Sequence, residues 1–539
     1  MITVGRVDAL AALDGRRLAL IREAQVHDGT GRRSDALLID GDRIEAVGEA
    51  ARVRAAALPA GALTEIALPG LTIVPGFIDA HTHLVHMGFG LTRLDLAGAP
   101  SAAAALERVR AALERRDPAR PLIAEHWDDA TWAPGDRLLR ADLDRLARST
   151  PVVLRRVCGH KAVVNGAALA RLAAHPAGPA YDACGFIDAP AGTLIEDAAM
   201  RLAEVFPPDA MEVEAALAAA LARAARRGVT GAHDIVTPDA LRAEQAARQS
   251  GRLTLRLTAH LDIAHLEAAE ELGLASGLGD AWLRLGGVKL YLDGSLGART
   301  AALREPYADA GSGGRDGGRG LLLYEETKLA ALVARLDGAG FTAVLHAIGD
   351  RAIATALAAL ESLGPAAVRE RRHRIEHLEL TPDDLLERVA RSGATASMQP
   401  NFVAEWAGLG GMYERALGPA RLAAMNRFRS LAERGVPLAF GSDCMPMDPL
   451  TGIAGAVAHP VARERLDPAA ALAAYTQGSA RAGFAERETG ALEPGKLADF
   501  AVLDGDPLGA PGAARVVATV AGGAAVFSAA APPSPGAAS

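Results

Sequence analysis

The feature that most constrains the fold is the alternation of short apolar strand candidates with alanine- and leucine-rich helical runs along the middle of the chain. This alternation is typical of parallel sheets, because a parallel connection has to cross the sheet and a helix usually makes that crossing. Eight strand candidates are found, at residues 72–84, 229–236, 253–262, 283–294, 341–350, 373–380, 395–400 and 436–444. The middle of the chain is therefore predicted to form a parallel α/β barrel.

The two ends of the chain have a different pattern. Short alternating runs separated by Gly/Asp turns occupy residues 18–47 and return at residues 497–527, which predicts one small β domain built from both ends. We predict that this domain spans residues 1–74 and 480–530 and that the barrel spans residues 75–479. A tail at 531–539, rich in Pro, Ala and Ser, is predicted to be disordered.

A long gap separates the first two barrel strand candidates. Residues 90–225 are too many for one crossover helix, so an insertion is predicted after the first barrel strand.

Composition limits the compartment and the partners. The 539 residues suit a large barrel plus a smaller domain, and a formal net charge of −8 without a basic tract argues against nucleic acid. Three cysteines, none in a C-x-x-C pattern, predict a reducing cytoplasm. No signal peptide or membrane span is apparent. The expected partner is a small-molecule substrate.

Metal-binding residue types recur at the carboxyl ends of the strand candidates. The first candidate ends in His81-Thr82-His83, and alternate residues of a strand point to the same face, so both imidazoles can approach one ion. Such a pair alone is equally well explained by structural histidines. Further candidates at other strand ends are Lys289, Asp293, His346, His377 and Asp443. Because the carboxyl ends of barrel strands share one mouth, their convergence predicts a metal site.

Several motifs together resemble the amidohydrolase superfamily of metal-dependent hydrolases, and most closely its long-insert branch, which includes N-substituted formamide deformylases. The matching segments cover about residues 18–527 and read VPGFIDAHTHL, GGVKLYLDGSLGARTA, VLHAIGDRAI, HRIEHLEL, SMQP, LAFGSDCMP and GALEPGKLADFAVLD. The resemblance implies a distorted (β/α)8 barrel with a β-sandwich domain formed from both chain ends. It also implies hydrolysis of a C–N bond other than a peptide bond, and a homodimer by analogy.

The resemblance further implies the ligands of two divalent cations, expected to be zinc. His81, His83 and Asp443 would bind the first ion, and His346 and His377 the second. Asp443 would also act as general base and then general acid. Lys289 stands where two-metal relatives carry a carboxylated lysine, which could bridge the ions; an unmodified ammonium has no lone pair to offer.

Three alternatives stay open at this stage. Lys289 could be an unmodified structural residue beside a single metal ion. The enzyme could then be a one-metal deaminase or cyclic-amide hydrolase. A non-catalytic scaffold barrel is the third alternative, although every expected ligand is present.

Neighbouring residues are candidates for supporting roles. Glu376 and Asp350 could orient ligand imidazoles, or could form ion pairs at strand or helix ends. The predicted substrate-binding residues are His160, Asp293, Arg299, Gln399 and Trp127. Asp293 and Arg299 could instead order a loop, and Trp127 could belong to the core. Glu196 matches a motif of the long-insert branch but has no assigned role.

Overall fold

Eight parallel strands, numbered β1 to β8 in chain order, form the centre of the computed structural model. The structure describes residues 7–15, 18–59, 62–115, 117, 119–129, 132–157, 161–176, 187–195, 197–200, 202–309 and 315–529. The strands are β1 Phe77–Thr82, β2 Val229–Val236, β3 Arg256–Asp262, β4 Leu283–Tyr291, β5 Ala343–Ala347, β6 Arg374–His377, β7 Thr395–Met398 and β8 Leu438–Phe440.

The strands pair in chain order, and the barrel is nearly closed where β8 meets β1. Just beyond β8, the Asp443 amide donates to the His81 carbonyl oxygen at 2.8 Å. Every residue of β1, β6 and β7 is buried, as expected for parallel strands covered on both faces. The predicted (β/α)8 fold class is confirmed, with all eight strands inside the predicted segments.

Helices connect the strands and cover the barrel. Asp383–Ser392 shows why such segments are helical: acidic residues lie in its first turn, its leucines and valine are buried, and Gly393 ends it at a φ of 80°. The helices of this part are Pro238–Gln249, Leu266–Glu271, Glu326–Gly338, Asp350–Glu361, Pro365–Arg371, Asp383–Ser392, Pro400–Trp406, Met412–Leu417, Pro419–Leu422, Phe428–Glu433, Pro449–Val457, Pro468–Ala473 and Ser479–Ala482, with short 3-10 turns at Ile263–His265, Arg315–Gly318 and Ala462–Glu464 and a π turn at Ala474–Gly478.

A second eight-stranded sheet is built from both ends of the chain. Its strands are Ala19–His27, Arg33–Asp40, Arg43–Val47, Thr64–Ala67, Leu71–Pro75, Phe500–Asp504, Arg515–Ala521 and Ala524–Ser528, accompanied by a helix at Glu49–Ala56 and 3-10 turns at Val7–Ala12 and Pro511–Ala513. Residues from nearly all these strands share one apolar cluster, so the sheet curls around its own core.

The predicted first strand, 72–84, is wrong as a single element. Leu71–Pro75 pairs with Phe500–Asp504 in the small sheet, whereas Phe77–Thr82 is β1. Gly76 lies between them against Thr230, which is 2% exposed, and a Cβ at Gly76 would lie 2.0 Å from the Thr230 Oγ1. The chain passes from one sheet to the other here because only glycine fits this close approach.

Gly76→Ala is expected to destabilise the protein by about 1–3 kcal/mol, because the added methyl group overpacks a buried site. The midpoint of urea unfolding should fall accordingly. Gly338→Ala is the matched control, since nothing lies within 4 Å of its added Cβ. An unchanged midpoint for Gly76→Ala would contradict the close approach.

The insertion forms a compact unit of its own, Val85–Ala220. Its strands are Leu94–Asp95, Leu122–Trp127, Val152–Arg156, Lys161–Val164, Ile187–Asp188 and Thr193–Ile195, and the helices along this segment are Leu84–Thr92, Ala102–Leu113, Arg140–Leu146, Gly166–Ala174, Asp197–Met200, Leu202–Val205 and Ala210–Arg226. The sequence predicts this insertion at about residues 90–225. The predicted tail at 531–539 lies outside the described residues.

Within the described residues, no helix is both long enough and apolar enough to span a bilayer.

Candidate metal centre

Three predicted ligands converge where β1 meets the loop after β8. The Asp443 Oδ1 lies 3.3 Å from the His83 Nε2 and 3.8 Å from the His81 Nε2. One potential ligand atom from each residue lies within 4.8 Å of the other two. The backbone around Asp443 is strained, with φ values of 52° at Asp443 and 60° at Cys444, and such strain is often retained at functional sites. This trio can hold one cation.

Asp79, which is not among the predicted site residues, joins β1 to the loop after β8 that carries Asp443. Its carboxylate accepts from the Ser442 amide at 2.8 Å, the Ser442 hydroxyl at 2.5 Å and the His81 amide at 3.2 Å. Burial raises the pKa of Asp79 to about 7, although the bonds from Ser442 and His81 lower it. The available signal was alternation along β1, which puts Asp79 and His81 on the same face.

Glu376 orients the imidazole of His81, which was one of the two roles predicted for it. The His81 Nδ1 donates to the Glu376 Oε2 at 2.5 Å, which leaves the lone pair of Nε2 available for a cation. Burial raises the pKa of Glu376, but the neighbouring Arg374 outweighs this effect and brings it to about 2. Burial, together with the positive charge of Lys289, lowers the pKa of His81 well below its usual value, which favours the neutral imidazole needed for metal binding.

Lys289, His346 and His377 lie beside the trio. The Lys289 Nζ is 3.3 Å from the His81 Nε2, the His346 and His377 ring centroids are 4.4 Å apart, and those of His81 and His377 are 4.9 Å apart. Burial lowers the pKa of Lys289 to about 8, although Glu376 opposes this effect. Burial and Lys289 also lower the pKa of His346 to about 3. The arrangement therefore favours neutral imidazoles beside an amine that loses its proton readily.

Gln399 lies at the end of β7 as predicted, and its Oε1 accepts from the His377 Nδ1 at 2.8 Å. Its observed role is therefore to orient an imidazole. This bond places the proton of the His377 ring on Nδ1, so the Nε2 carries none. Glu376 has the same effect on His81.

Asp293 orders loops, which was one of its two predicted roles. Its carboxylate accepts from the backbone amides of Ala302, Ile348 and Gly349 at 2.8–3.1 Å, so it joins the loop after β4 to the loop after β5. The Asp293 Oδ1 also lies 3.4 Å from the His346 Nε2.

Asp350 lies at a helix end, which agrees with the second of its two predicted roles rather than with the orientation of His346. Its Oδ1 accepts from the Arg304 amide at 2.8 Å, and it begins the helix Asp350–Glu361. A carboxylate at this end is stabilised by the helix dipole, so its role is structural.

For Arg299 the sequence left substrate binding and loop ordering both open, and its contacts favour loop ordering. Its guanidinium pairs with Asp309, with the Nε at 2.8 Å from the Asp309 Oδ1, and its backbone φ is 61°. It therefore orders its own loop.

Trp127 belongs to the core of the insertion, which was one of its two predicted roles. It is 1% exposed within an apolar cluster, and its indole N–H donates to the Leu154 carbonyl oxygen at 3.2 Å. Burial of this large apolar ring explains its position. The predicted residues His160 and Glu196 lie outside the described residues.

The donor set fits a divalent cation. It combines imidazoles with a carboxylate, hydrogen-bond acceptors fix the tautomers of His81 and His377, and such nitrogen and oxygen ligands suit zinc among other first-row metals. His81 and His83 come from one strand end and Asp443 from another, so the barrel brings the set together.

Comparison with known proteins agrees with this arrangement. The model of the amidohydrolase family matches residues 64–527. The YtcJ protein of Bacillus subtilis (strain 168) is 31% identical over 506 residues, covering 88% of this chain and 92% of YtcJ, and an N-substituted formamide deformylase of Arthrobacter pascens is 27% identical over 525 residues, covering 91% and 94%. The crystal structure of an uncharacterized metal-dependent hydrolase from Pyrococcus furiosus superposes with a TM-score of 0.77 at 30% identity, covering 91% of this chain and all of that one. The chain belongs to the amidohydrolase family.

Proposed function

We propose that this protein is a metal-dependent hydrolase that cleaves a C–N bond, other than a peptide bond, in a small molecule. The observation that carries the proposal is the convergence of His81, His83 and Asp443, whose potential ligand atoms lie within 4.8 Å of one another. Further support comes from the family and from the P. furiosus relative, which is named as a metal-dependent hydrolase.

The proposed centre holds two divalent cations, with zinc as the expected metal. His81, His83 and Asp443 would hold one ion, and His346 and His377 the other. Lys289 would bridge them after carboxylation, in which its neutral amine adds to carbon dioxide and releases a proton. The burial and lowered pKa of Lys289 support this step because the neutral amine is the reactive form.

The position of Asp443 supports a role in proton transfer. Its side chain is 20% exposed and lies at the carboxyl ends of the barrel strands, where substrates bind in this fold. A bound divalent cation lowers the pKa of water and polarises a carbonyl group. In the proposed reaction, the Asp443 carboxylate accepts the proton of the attacking water and then delivers it to the leaving nitrogen. Glu376 and Gln399 keep the imidazoles oriented throughout.

The proposed substrate class is a small amide, because the A. pascens relative is named as an N-substituted formamide deformylase. One observation favours a second candidate, a one-metal deaminase or cyclic-amide hydrolase. The Lys289 Nζ lies 3.3 Å from the His81 Nε2, so an unmodified lysine packs directly against the trio. Native mass spectrometry with a count of ions per chain distinguishes the candidates: two ions with one bound carbon dioxide support the first, whereas one ion and an unmodified chain support the second.

Chelation is expected to remove the ions and abolish hydrolysis. The purified protein is screened against N-formyl, N-acyl and cyclic amides, and the best substrate is assayed before and after dialysis against a chelator, with metal measured by elemental analysis. Addition of Zn²⁺ should restore turnover, because the ligands belong to a folded barrel that persists without the ion.

A mock dialysis without chelator is the control for loss of protein. Full turnover by a preparation shown to be free of metal would contradict the proposal. Binding of metal without hydrolysis of any amide in the screen would limit it to a metal-binding barrel.

A further inference from the structure

Arg374, at the start of β6, is a fully buried arginine inside the barrel. Its guanidinium touches four strands. The Nε and Nη2 donate to the two Glu376 oxygens at 2.5 and 3.0 Å, and the Nη1 donates to the His233 Nδ1 on β2 at 2.8 Å. The Nη2 also donates at 2.6 Å both to the Ala80 carbonyl oxygen on β1 and to the Ser397 hydroxyl on β7.

The contacts of Arg374 reach the candidate metal centre along two routes. The first runs through Glu376, whose Oε2 accepts from the His81 Nδ1 at 2.5 Å. The second runs through Ala80, which immediately precedes His81 in β1. The Arg374 guanidinium therefore holds both Glu376, which accepts a hydrogen bond from the His81 imidazole, and the backbone segment that carries His81.

We propose that Arg374 is a positioning residue for the metal site, which fixes the orientation of His81 through Glu376 and Ala80. The proposal rests on the proposed metal-dependent function and adds a residue that contacts none of the ligand side chains. Only a guanidinium fits the role: its fork bonds a carboxylate in bidentate fashion and still has N–H groups for other strands, whereas a lysine ammonium has three hydrogens on one atom.

The chain contains a matched control. Arg427 is 4% exposed and donates to the buried Glu464 at 2.7 Å and to the Ser430 hydroxyl at 3.3 Å. Arg427, Glu464 and Ser430 thus reproduce the residue types of Arg374, Glu376 and Ser397. In the part of the chain that the structure describes, their hydrogen bonds and ion pairs do not reach the metal-site trio, so Arg427→Lys measures the structural cost of losing a buried guanidinium.

The test measures binding of Co²⁺ to the metal-free full-length protein by its visible absorption, because the spectrum reports ligand geometry. Arg374→Lys is expected to weaken Co²⁺ binding about 10–100-fold, as changes to groups behind metal ligands do, and to alter the spectrum. Arg427→Lys should bind Co²⁺ like the wild type, even if its melting temperature falls as much as that of Arg374→Lys. Wild-type binding and spectrum in Arg374→Lys would overturn the proposal.

A second pair of variants, with smaller structural changes, tests the proposal if Arg374→Lys does not fold. Ser397→Ala removes one acceptor of the Arg374 Nη2 together with a bond to Glu376, and Ser430→Ala removes the corresponding acceptor of Arg427 together with a bond to Glu464. Weaker Co²⁺ binding by Ser397→Ala alone supports the proposal, and equal binding by both variants overturns it. If the wild type binds no Co²⁺, the proposed function fails; if the wild type binds and the Arg374 and Ser397 variants bind equally well, only the positioning role fails.

Discussion

Asp443→Asn is expected to lower kcat/KM by about 10²–10⁴-fold, the usual contribution of a general acid–base group. Asparagine keeps the size of the side chain and one oxygen acceptor, but it cannot take a proton from water or return it to a leaving nitrogen. The loss should therefore appear mainly in kcat. Steady-state kinetics on the best amide from the substrate screen, with metal content measured in the same samples, checks the result.

The matched control is Asp383→Asn, because the Asp383 side chain is 83% exposed and pairs with Arg427. This variant should retain wild-type kinetics. An Asp443→Asn enzyme with normal metal content and undiminished kcat would contradict the proposed proton transfer. An equal loss of metal and of turnover would assign Asp443 to metal binding alone.

Asp79→Ala is expected to destabilise the metal-free protein by about 3–5 kcal/mol, and to impair metal binding as well. The substitution leaves the Ser442 amide and hydroxyl and the His81 amide buried without their acceptor, at a cost of about 1–3 kcal/mol each when unpaired. It also releases the link between β1 and the loop that carries Asp443. Urea unfolding is measured without metal, so that stabilisation by a bound ligand does not obscure the change.

Asp28 provides a close control for this effect. Its buried carboxylate also accepts from two backbone amides and one hydroxyl, those of Thr30 and Arg32, but within the small sheet domain. Asp28→Ala should lower stability by less, because water can reach the exposed Thr30 and Arg32, and its folded form should bind Co²⁺ with wild-type affinity. If both variants bind Co²⁺ equally well, Asp79 has no special role at the metal centre.

The sequence alone determined the local elements and the chemistry of the main candidates. The alternation of apolar strand candidates with helical runs located all eight barrel strands, because parallel strands are joined by helices that cover both faces of the sheet. The strand-end positions of His81, His83 and Asp443 followed from the same pattern, since the carboxyl ends of barrel strands share one mouth. The terminal sheet was also predictable from its short alternating runs.

Other features depended on contacts between distant parts of the chain. Asp79 bonds Ser442, 363 residues away, and Glu376 bonds His81, 295 residues away, and neither distance can be read from local periodicity. Gly76 divides the predicted first strand because Thr230 packs against it. For Trp127 the sequence left a substrate pocket and the core both open, and the apolar core of the insertion buries it.

The sequence by itself thus determined which elements form and which ligand types they carry. Only the tertiary structure decided which polar groups hold those ligands in place. The physical reason is that strand identity depends on the burial pattern of neighbouring residues, whereas the orientation of His81 depends on Glu376 and Arg374, which reach it only after the barrel closes.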